Sequence, residues 1–116
     1  MIQVYHNPRC GKSRSCLAFL DNANQDYEVI SYLTETPTFD ELKSLIEKLN
    51  LKPIELVRVK EKIWIEEYKG KTLVDSQVIQ AMIDNPILIE RPIVIKDGKA
   101  IIGRDLDKVA SFLEGV

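Results

Sequence analysis

The chain passes from a strand pattern to a helix pattern within the stretch Tyr5-His6-Asn7-Pro8-Arg9-Cys10-Gly11-Lys12-Ser13-Arg14. Apolar residues alternate with polar ones just before it, at Ile2 and Val4, and a helical pattern follows from Lys12. Proline and glycine, which favour turns, lie between the two patterns. The stretch therefore predicts a strand followed directly by a helix, with Cys10 at or just before the N-terminus of that helix.

A cysteine in that place is expected to be reactive. Backbone N–H groups without helical partners and the positive end of the helix dipole meet at a helix N-terminus. Both favour the thiolate, which is the nucleophilic form of cysteine, and both favour a bound anion. Arg9, Lys12 and Arg14 add positive charge to the same turn. We therefore predict that Cys10 is a nucleophile beside an anion-binding site.

The rest of the first half of the chain predicts a second strand and several helices. A strand is expected at 27–32, and the intervening helix, ending near 22, makes it the parallel partner of the first strand. Thr38 and Glu41 have the spacing of a capping box, which predicts a helix over 38–50. Further helices are expected at 53–59 and 75–83, the latter capped by Asp75 or Ser76, and residues 63–68 are expected to be helical or irregular.

The second half predicts a hairpin and a last helix. Strands are expected at 92–95 and 99–102, joined by the tight turn Asp97-Gly98, and an amphipathic helix at 105–113. The order is β-α-β, several helices, then β-β-α. We predict a single α/β domain over 1–116, with a thioredoxin-like four-stranded mixed sheet flanked by helices. An all-helical insertion over about 38–85 separates its two halves.

Composition limits the class of protein. The chain has 116 residues and a formal net charge of -2, which argues against general nucleic-acid binding. No apolar run approaches the ~20 residues that span a bilayer, and no signal peptide is visible, so we expect a cytoplasmic protein without membrane association. Its two cysteines are expected to be free thiols, with Cys16 packed in the core. No metal site is expected, because the cysteines and the one histidine lack the spacing of a zinc site.

Three motifs together resemble the glutaredoxin-linked arsenate reductase (ArsC) family, and the resemblance covers essentially the whole chain. They are Asn7-Pro8-Arg9-Cys10-Gly11-Lys12-Ser13-Arg14, Asn85-Pro86-Ile87-Leu88-Ile89-Glu90-Arg91-Pro92-Ile93-Val94 and Gly103-Arg104. The first two are specific because they combine residue type, spacing and context. The Gly-Arg pair is weak by itself.

The resemblance implies a reaction and its residues. Cys10 matches the cysteine that attacks arsenate, and Arg58, Arg91 and Arg104 match the arginines that bind the oxyanion. Planar guanidinium groups suit such a ligand. Glutathione would be the co-substrate, with no bound cofactor, and glutaredoxin the protein partner.

Three further residues match supporting positions of the family. His6 lies near the nucleophile, and Ser13 stands where a dithiol enzyme has its second cysteine. Pro92 matches a proline held in cis beside the active cysteine.

Other interpretations remain open at this level. The substrate could be an oxyanion other than arsenate, and Arg58 could belong to an ordinary charged helix face. A branch of the same family consists of thiol-sensing transcription regulators that bind RNA polymerase, although their switch uses a CxxC motif and Ser13 replaces its second cysteine here. A phosphatase loop of the C-x5-R type is excluded, because the sixth residue after Cys10 is Cys16.

Overall fold

Four strands and five α-helices make up the computed structural model, which describes residues 1–114. The strands are β1 (Ile2–Tyr5), β2 (Tyr27–Ile30), β3 (Ile93–Lys96) and β4 (Lys99–Ile102). The α-helices are α1 (Gly11–Asn22), α2 (Phe39–Leu49), α3 (Lys62–Glu67), α4 (Asp75–Asp84) and α5 (Leu106–Leu113). Short 3-10 helices cover Pro53–Leu56 and Pro86–Leu88. The chain forms two compact units, residues 1–35 with 91–114, and residues 36–90.

The first unit contains a mixed sheet with the strand order β2-β1-β3-β4. β1 and β2 pair in parallel, with Val4 opposite Val29, and β3 pairs antiparallel with both β1 and β4. The predicted mixed sheet and mid-chain helical insertion are therefore confirmed. The expectation that the second strand reaches residue 32 is wrong. The chain turns after Ile30, and the N–H groups of Thr34 and Glu35 both donate to the Ser31 carbonyl.

The hairpin between β3 and β4 depends on a two-residue turn. Asp97 and Gly98 both have positive φ angles, 52° and 75°, as a turn matched to the strand twist requires. Pro92 precedes β3 rather than starting it, because proline has no N–H for a ladder hydrogen bond. Asp105 likewise precedes α5 and caps it, since its carboxylate accepts from the N–H groups of Asp107 and Lys108.

The core of this unit lies between the sheet and its helices. Alternating strand residues meet one face of α1, as the sequence pattern predicted. The buried cluster consists of Ile2, Val4, Cys16, Leu20 and Val94. Partly buried side chains of β4 and α5, including Ile101 and Phe112, pack against it. Because α1 is held by this core, the position of its N-terminus, where Cys10 lies, is determined as well.

The second unit is helical, and its boundaries correct two expectations. The helix predicted at 53–59 is a 3-10 turn that ends at Leu56, after which Val57 forms an isolated antiparallel bridge with Ile89. α4 is preceded by Val74, not by Asp75 or Ser76, and the Val74 N–H donates to Gln77 Oε1 at 2.9 Å. Residues 63–68, which were expected to be helical or irregular, are mostly helical, because α3 covers Lys62–Glu67.

The capping box of α2 is present and allows a stability prediction. Thr38 Oγ1 accepts from the Glu41 N–H at 3.2 Å, and Glu41 Oε1 accepts from the Thr38 N–H at 2.9 Å. Thr38→Ala should therefore lower the free energy of unfolding by about 1 kcal/mol in chemical denaturation. Thr36→Ala, at an exposed residue that caps no helix, is the matched control, and equal effects of the two variants would contradict the prediction.

Candidate active site

Cys10 occupies the N-cap position of α1, as predicted. Its backbone is extended (φ -95°, ψ 122°), and the helix begins at the next residue, Gly11. The side chain is partly exposed, so a solute can reach the sulfur. The junction between β1 and α1 thus presents one thiol at the positive end of a twelve-residue helix.

Asn7 shapes the turn that carries Cys10. Its side-chain oxygen accepts from the Arg9 N–H at 2.9 Å, and its carbonyl accepts from the Cys10 N–H at 3.0 Å. Its own N–H donates to Ser13 Oγ at 3.4 Å. Asn7 is buried, so these bonds are protected from competing water. Sequence reasoning did not select Asn7, although an asparagine that starts a turn before proline is a recognisable signal.

The pKa of Cys10 is lowered to about 7. Burial alone would raise it, but the backbone N–H of Ser13, the side chain of Arg91 and the backbone N–H of Lys12 donate to the sulfur and outweigh burial. The charge of Arg91 acts in the same direction. A thiol with this pKa is about half ionised at neutral pH, so a large share of Cys10 is nucleophilic.

Arg91 is therefore the predicted arginine that the structure brings to Cys10. It is 9% exposed, and the Arg91–Pro92 peptide bond is cis, as the resemblance implied for Pro92.

Arg104 is bonded to the Arg91–Pro92 segment, because its Nη1 donates to the Arg91 carbonyl at 3.0 Å. The neighbouring Gly103 N–H donates to the Pro92 carbonyl at 2.8 Å. Gly103 and Arg104 together thus hold the backbone of Arg91 and Pro92.

Arg58 lies in the second unit, where its partners are carboxylates. Its Nε is 3.2 Å from Glu61 Oε1, and its Nη1 is 3.1 Å from Glu90 Oε1. Burial opposes its charge, but the two carboxylates outweigh burial and raise the pKa of Arg58. Arg58 lies between the 3-10 turn and α3, so the alternative of a charged helix face is wrong, although its charge is paired with two carboxylates. A role of Arg58 in anion binding stays a prediction.

His6 and Ser13 are both buried at the edge of the Cys10 turn. Ser13 supports the turn through two hydrogen bonds. Its hydroxyl accepts from the Asn7 N–H, and its own N–H donates to the Cys10 sulfur. His6 has no hydrogen-bond partner at Nδ1 among the described residues. Burial, together with the charge of Arg14, lowers the pKa of His6 and favours the neutral imidazole.

Cys16 differs from Cys10 in both exposure and pKa. It is fully buried in the core cluster, and burial raises its pKa to about 11. The expectation that Cys16 packs in the core is confirmed. At neutral pH the protein thus offers one reactive thiol among its two free cysteines.

Neither a metal site nor a membrane-spanning helix is found within residues 1–114. No group of three or more His, Cys, Asp and Glu side chains in this range is arranged to hold a metal ion. No helix in the same range is both long and apolar enough to cross a membrane.

The mixed sheet and its mid-chain helical insertion define a thioredoxin-like fold, in which Cys10 lies at the N-terminus of α1. Comparison with protein families narrows this class. The model of the ArsC family matches residues 5–112, which is most of the chain, and the chain belongs to that family.

Several relatives match over nearly their whole length. An arsenate reductase of Neisseria meningitidis is 38% identical over 114 residues, covering 97% of this chain and 97% of that protein. An arsenate reductase of Haemophilus influenzae is 34% identical over 112 residues, covering 95% and 97%. The solved structure of an arsenate reductase from Vibrio cholerae has a TM-score of 0.89 at 40% identity, covering 95% of each chain.

Proposed function

We propose that this protein is an arsenate reductase-like thiol oxidoreductase in which the Cys10 thiolate attacks an arginine-bound oxyanion. The observation that carries the proposal is the Cys10 pKa of about 7, produced by helix N–H groups and by Arg91. The names of the relatives support arsenate as the oxyanion. Phosphate-like tetrahedral anions favour the same combination of guanidinium groups and a helix N-terminus.

In the proposed reaction, two thiols supply the two electrons that reduce arsenate, and no other reductant is needed. Cys10 sulfur bonds to arsenic, and one arsenate oxygen leaves as water after taking up protons. A glutathione thiolate then attacks the Cys10 sulfur and breaks its bond to arsenic, and the electron pair of that bond stays on arsenic. Arsenic(V) becomes arsenic(III), and the two thiols end as a disulfide. Glutaredoxin would reduce the mixed disulfide between Cys10 and glutathione and so restore the Cys10 thiol.

The second thiol must come from another molecule. Ser13 occupies the position three residues after Cys10 and bonds to the turn through its hydroxyl. Cys16 is fully buried with a raised pKa, so it is a poor attacking group at neutral pH. This requirement agrees with glutathione as co-substrate and with a location in the reducing cytoplasm.

The remaining site residues have proposed roles of different directness. Arg91 binds the oxyanion and stabilises the thiolate. Arg104 also binds the oxyanion and holds the backbone of Arg91 through its hydrogen bond to the Arg91 carbonyl. Pro92 shapes the backbone beside Cys10, while His6 and Ser13 support the turn. The role of Arg58 in anion binding rests on the family resemblance alone.

The test is arsenate turnover with glutathione, glutaredoxin, glutathione reductase and NADPH, in which NADPH oxidation measures the rate. Because the Cys10 pKa is lowered, the active thiolate is lost as the pH falls through about 7. The turnover rate should therefore rise with pH through that value and level off above it. Cys10→Ser is the control for background reduction, and a wild-type rate no higher than that of Cys10→Ser would exclude arsenate as the substrate.

A further inference from the structure

Arg14 is bonded to the Cys10 turn at two points. Its backbone N–H donates to the Cys10 carbonyl at 3.1 Å, the first helical hydrogen bond of α1. Its side chain reaches back over six residues, and Nη1 donates to the Pro8 carbonyl at 2.9 Å. One residue of the helix thus holds both the apex of the turn and the residue that carries the thiol.

No bond made by Asn7 replaces the contact at Pro8. Asn7 bonds to Arg9, Cys10 and Ser13, and none of these bonds involves the Pro8 carbonyl. Pro8 and Arg9 are exposed at the apex, and proline has no N–H, so its carbonyl is its only backbone hydrogen-bonding group. The bond from Arg14 therefore ties the Pro8 carbonyl, at the apex of the turn, to the helix.

The guanidinium also lies near the start of α1. A Cβ atom placed on Gly11 would lie 3.8 Å from Arg14 Nη2, which is ordinary contact distance. The side chain thus extends past Gly11 to Pro8, on either side of Cys10 in the sequence. Arg14 is exposed, but the bond to Pro8 holds its guanidinium across the turn.

We propose that Arg14 is a positioning residue, whose guanidinium holds the Pro8 carbonyl and thereby keeps the Cys10 sulfur aligned with the N–H groups of Lys12 and Ser13. The proposal rests on the proposed role of Cys10 as the nucleophile and assigns Arg14 no contact with the substrate. It makes the shape of the turn, and not only the charge around it, a condition for thiol reactivity.

The interactions of Cys10 distinguish positioning from a direct effect of charge. The groups that lower the Cys10 pKa are Ser13, Arg91 and Lys12, and Arg14 is not one of them. The charge of Arg14 acts instead on His6, whose pKa it helps to lower. An effect of Arg14 on the thiol is therefore expected to pass through the geometry of the turn.

The experiment compares Arg14→Gln with Arg9→Gln by pH-dependent alkylation of Cys10 with iodoacetamide and peptide mapping. Both variants remove one positive charge from the turn, but only Arg14→Gln removes the guanidinium bond to Pro8. Arg14→Gln should raise the Cys10 pKa by about one unit, which lowers the alkylation rate at pH 7 roughly fivefold. Arg9 and Arg14 are both exposed, so loss of either charge by itself should raise the Cys10 pKa by less than about half a unit, because solvent screens it. Arg9→Gln should show only this smaller shift, and the excess in Arg14→Gln measures the lost bond to Pro8.

Equal shifts in the two variants, or no shift in Arg14→Gln, would overturn the proposal. If Arg14→Gln does not fold, Arg14→Lys serves, because its ammonium keeps the charge but ends one bond short of the guanidinium nitrogen that reaches Pro8. Its Cys10 pKa should exceed that of the wild type and its His6 pKa, measured by NMR, should stay unchanged, whereas an unchanged Cys10 pKa would count against the proposal. Alkylation requires no oxyanion, so a failed arsenate assay leaves this result interpretable.

Discussion

Arg91→Ala is expected to raise the Cys10 pKa from about 7 to the ordinary thiol range or above, and to reduce oxyanion turnover by about 100-fold or more. The variant removes both a hydrogen-bond donor to the sulfur and a positive charge, while the burial that opposes ionisation remains. Less thiolate is then present at neutral pH, and the developing charge of the transition state has lost a buried partner. The measurements are pH-dependent alkylation and arsenate turnover.

Arg91→Lys separates the two functions of this side chain. Lysine keeps the charge, so the Cys10 pKa should stay closer to that of the wild type than in Arg91→Ala. It lacks the planar pair of donors that matches an oxyanion, so turnover should still fall about tenfold or more. A Cys10 pKa unaffected by Arg91→Ala would show that the helix N-terminus alone activates the thiol.

Gly103→Ala is expected to give the largest change in stability. An added Cβ would lie 3.2 Å from Cys16 Sγ, 3.2 Å from Val94 Cγ2 and 3.3 Å from Pro92 Cγ. All three groups are buried, so none can move aside without disturbing the core. Overpacking of this kind lowers the free energy of unfolding by about 1–3 kcal/mol, which corresponds to a fall of about 4–12 °C in Tm.

The same substitution should also affect the thiol. Pro92 follows Arg91 directly, and its displacement moves the guanidinium relative to Cys10, so the Cys10 pKa should rise as well. Gly11→Ala is the matched control, since its Cβ would meet only Arg14 Nη2, at 3.8 Å, and alanine is the better helix former. An unchanged melting temperature in Gly103→Ala would contradict the tight packing at this position.

A double variant tests which contact is responsible. Cys16→Ala removes the sulfur atom nearest to the new Cβ and should recover part of the stability that Gly103→Ala loses. The coupling between the two substitutions in a double-mutant cycle measures this recovery. Additive effects would indicate that Val94 and Pro92 carry the strain instead.

Local patterns in the sequence predicted most of the elements correctly. The hairpin turn at Asp97-Gly98 and the capping box of Thr38 and Glu41 depend on neighbours a few residues away, so composition and spacing are enough to recognise them. The errors fall at element ends. β2 stops at Ile30 and the 3-10 turn stops at Leu56, because the following residues satisfy their backbone groups in turns and in the bridge to Ile89.

The candidate site likewise has local features that the sequence predicted and long-range contacts that it did not. A reactive cysteine at the end of a strand could be recognised from Cys10 and its neighbours, because the helix N–H groups that act on it belong to adjacent residues. Arg91 is 81 positions away in the sequence, and its role at Cys10 was suggested only by resemblance to a family. The bracing bonds of Asn7 and Arg14 were not foreseen, since they depend on how side chains fold back onto the turn.

The sequence alone thus determined that one cysteine would lie at a helix N-terminus and that the second would be buried in the core. The degree of activation depended on long-range packing. β3 lies beside β1 in the sheet, and this pairing brings the Arg91–Pro92 segment to the end of the strand that leads to Cys10. Gly103 and Arg104 then hold that segment through its backbone carbonyls. A pKa near 7 requires these contacts, because local N–H groups and distant side chains act together against burial.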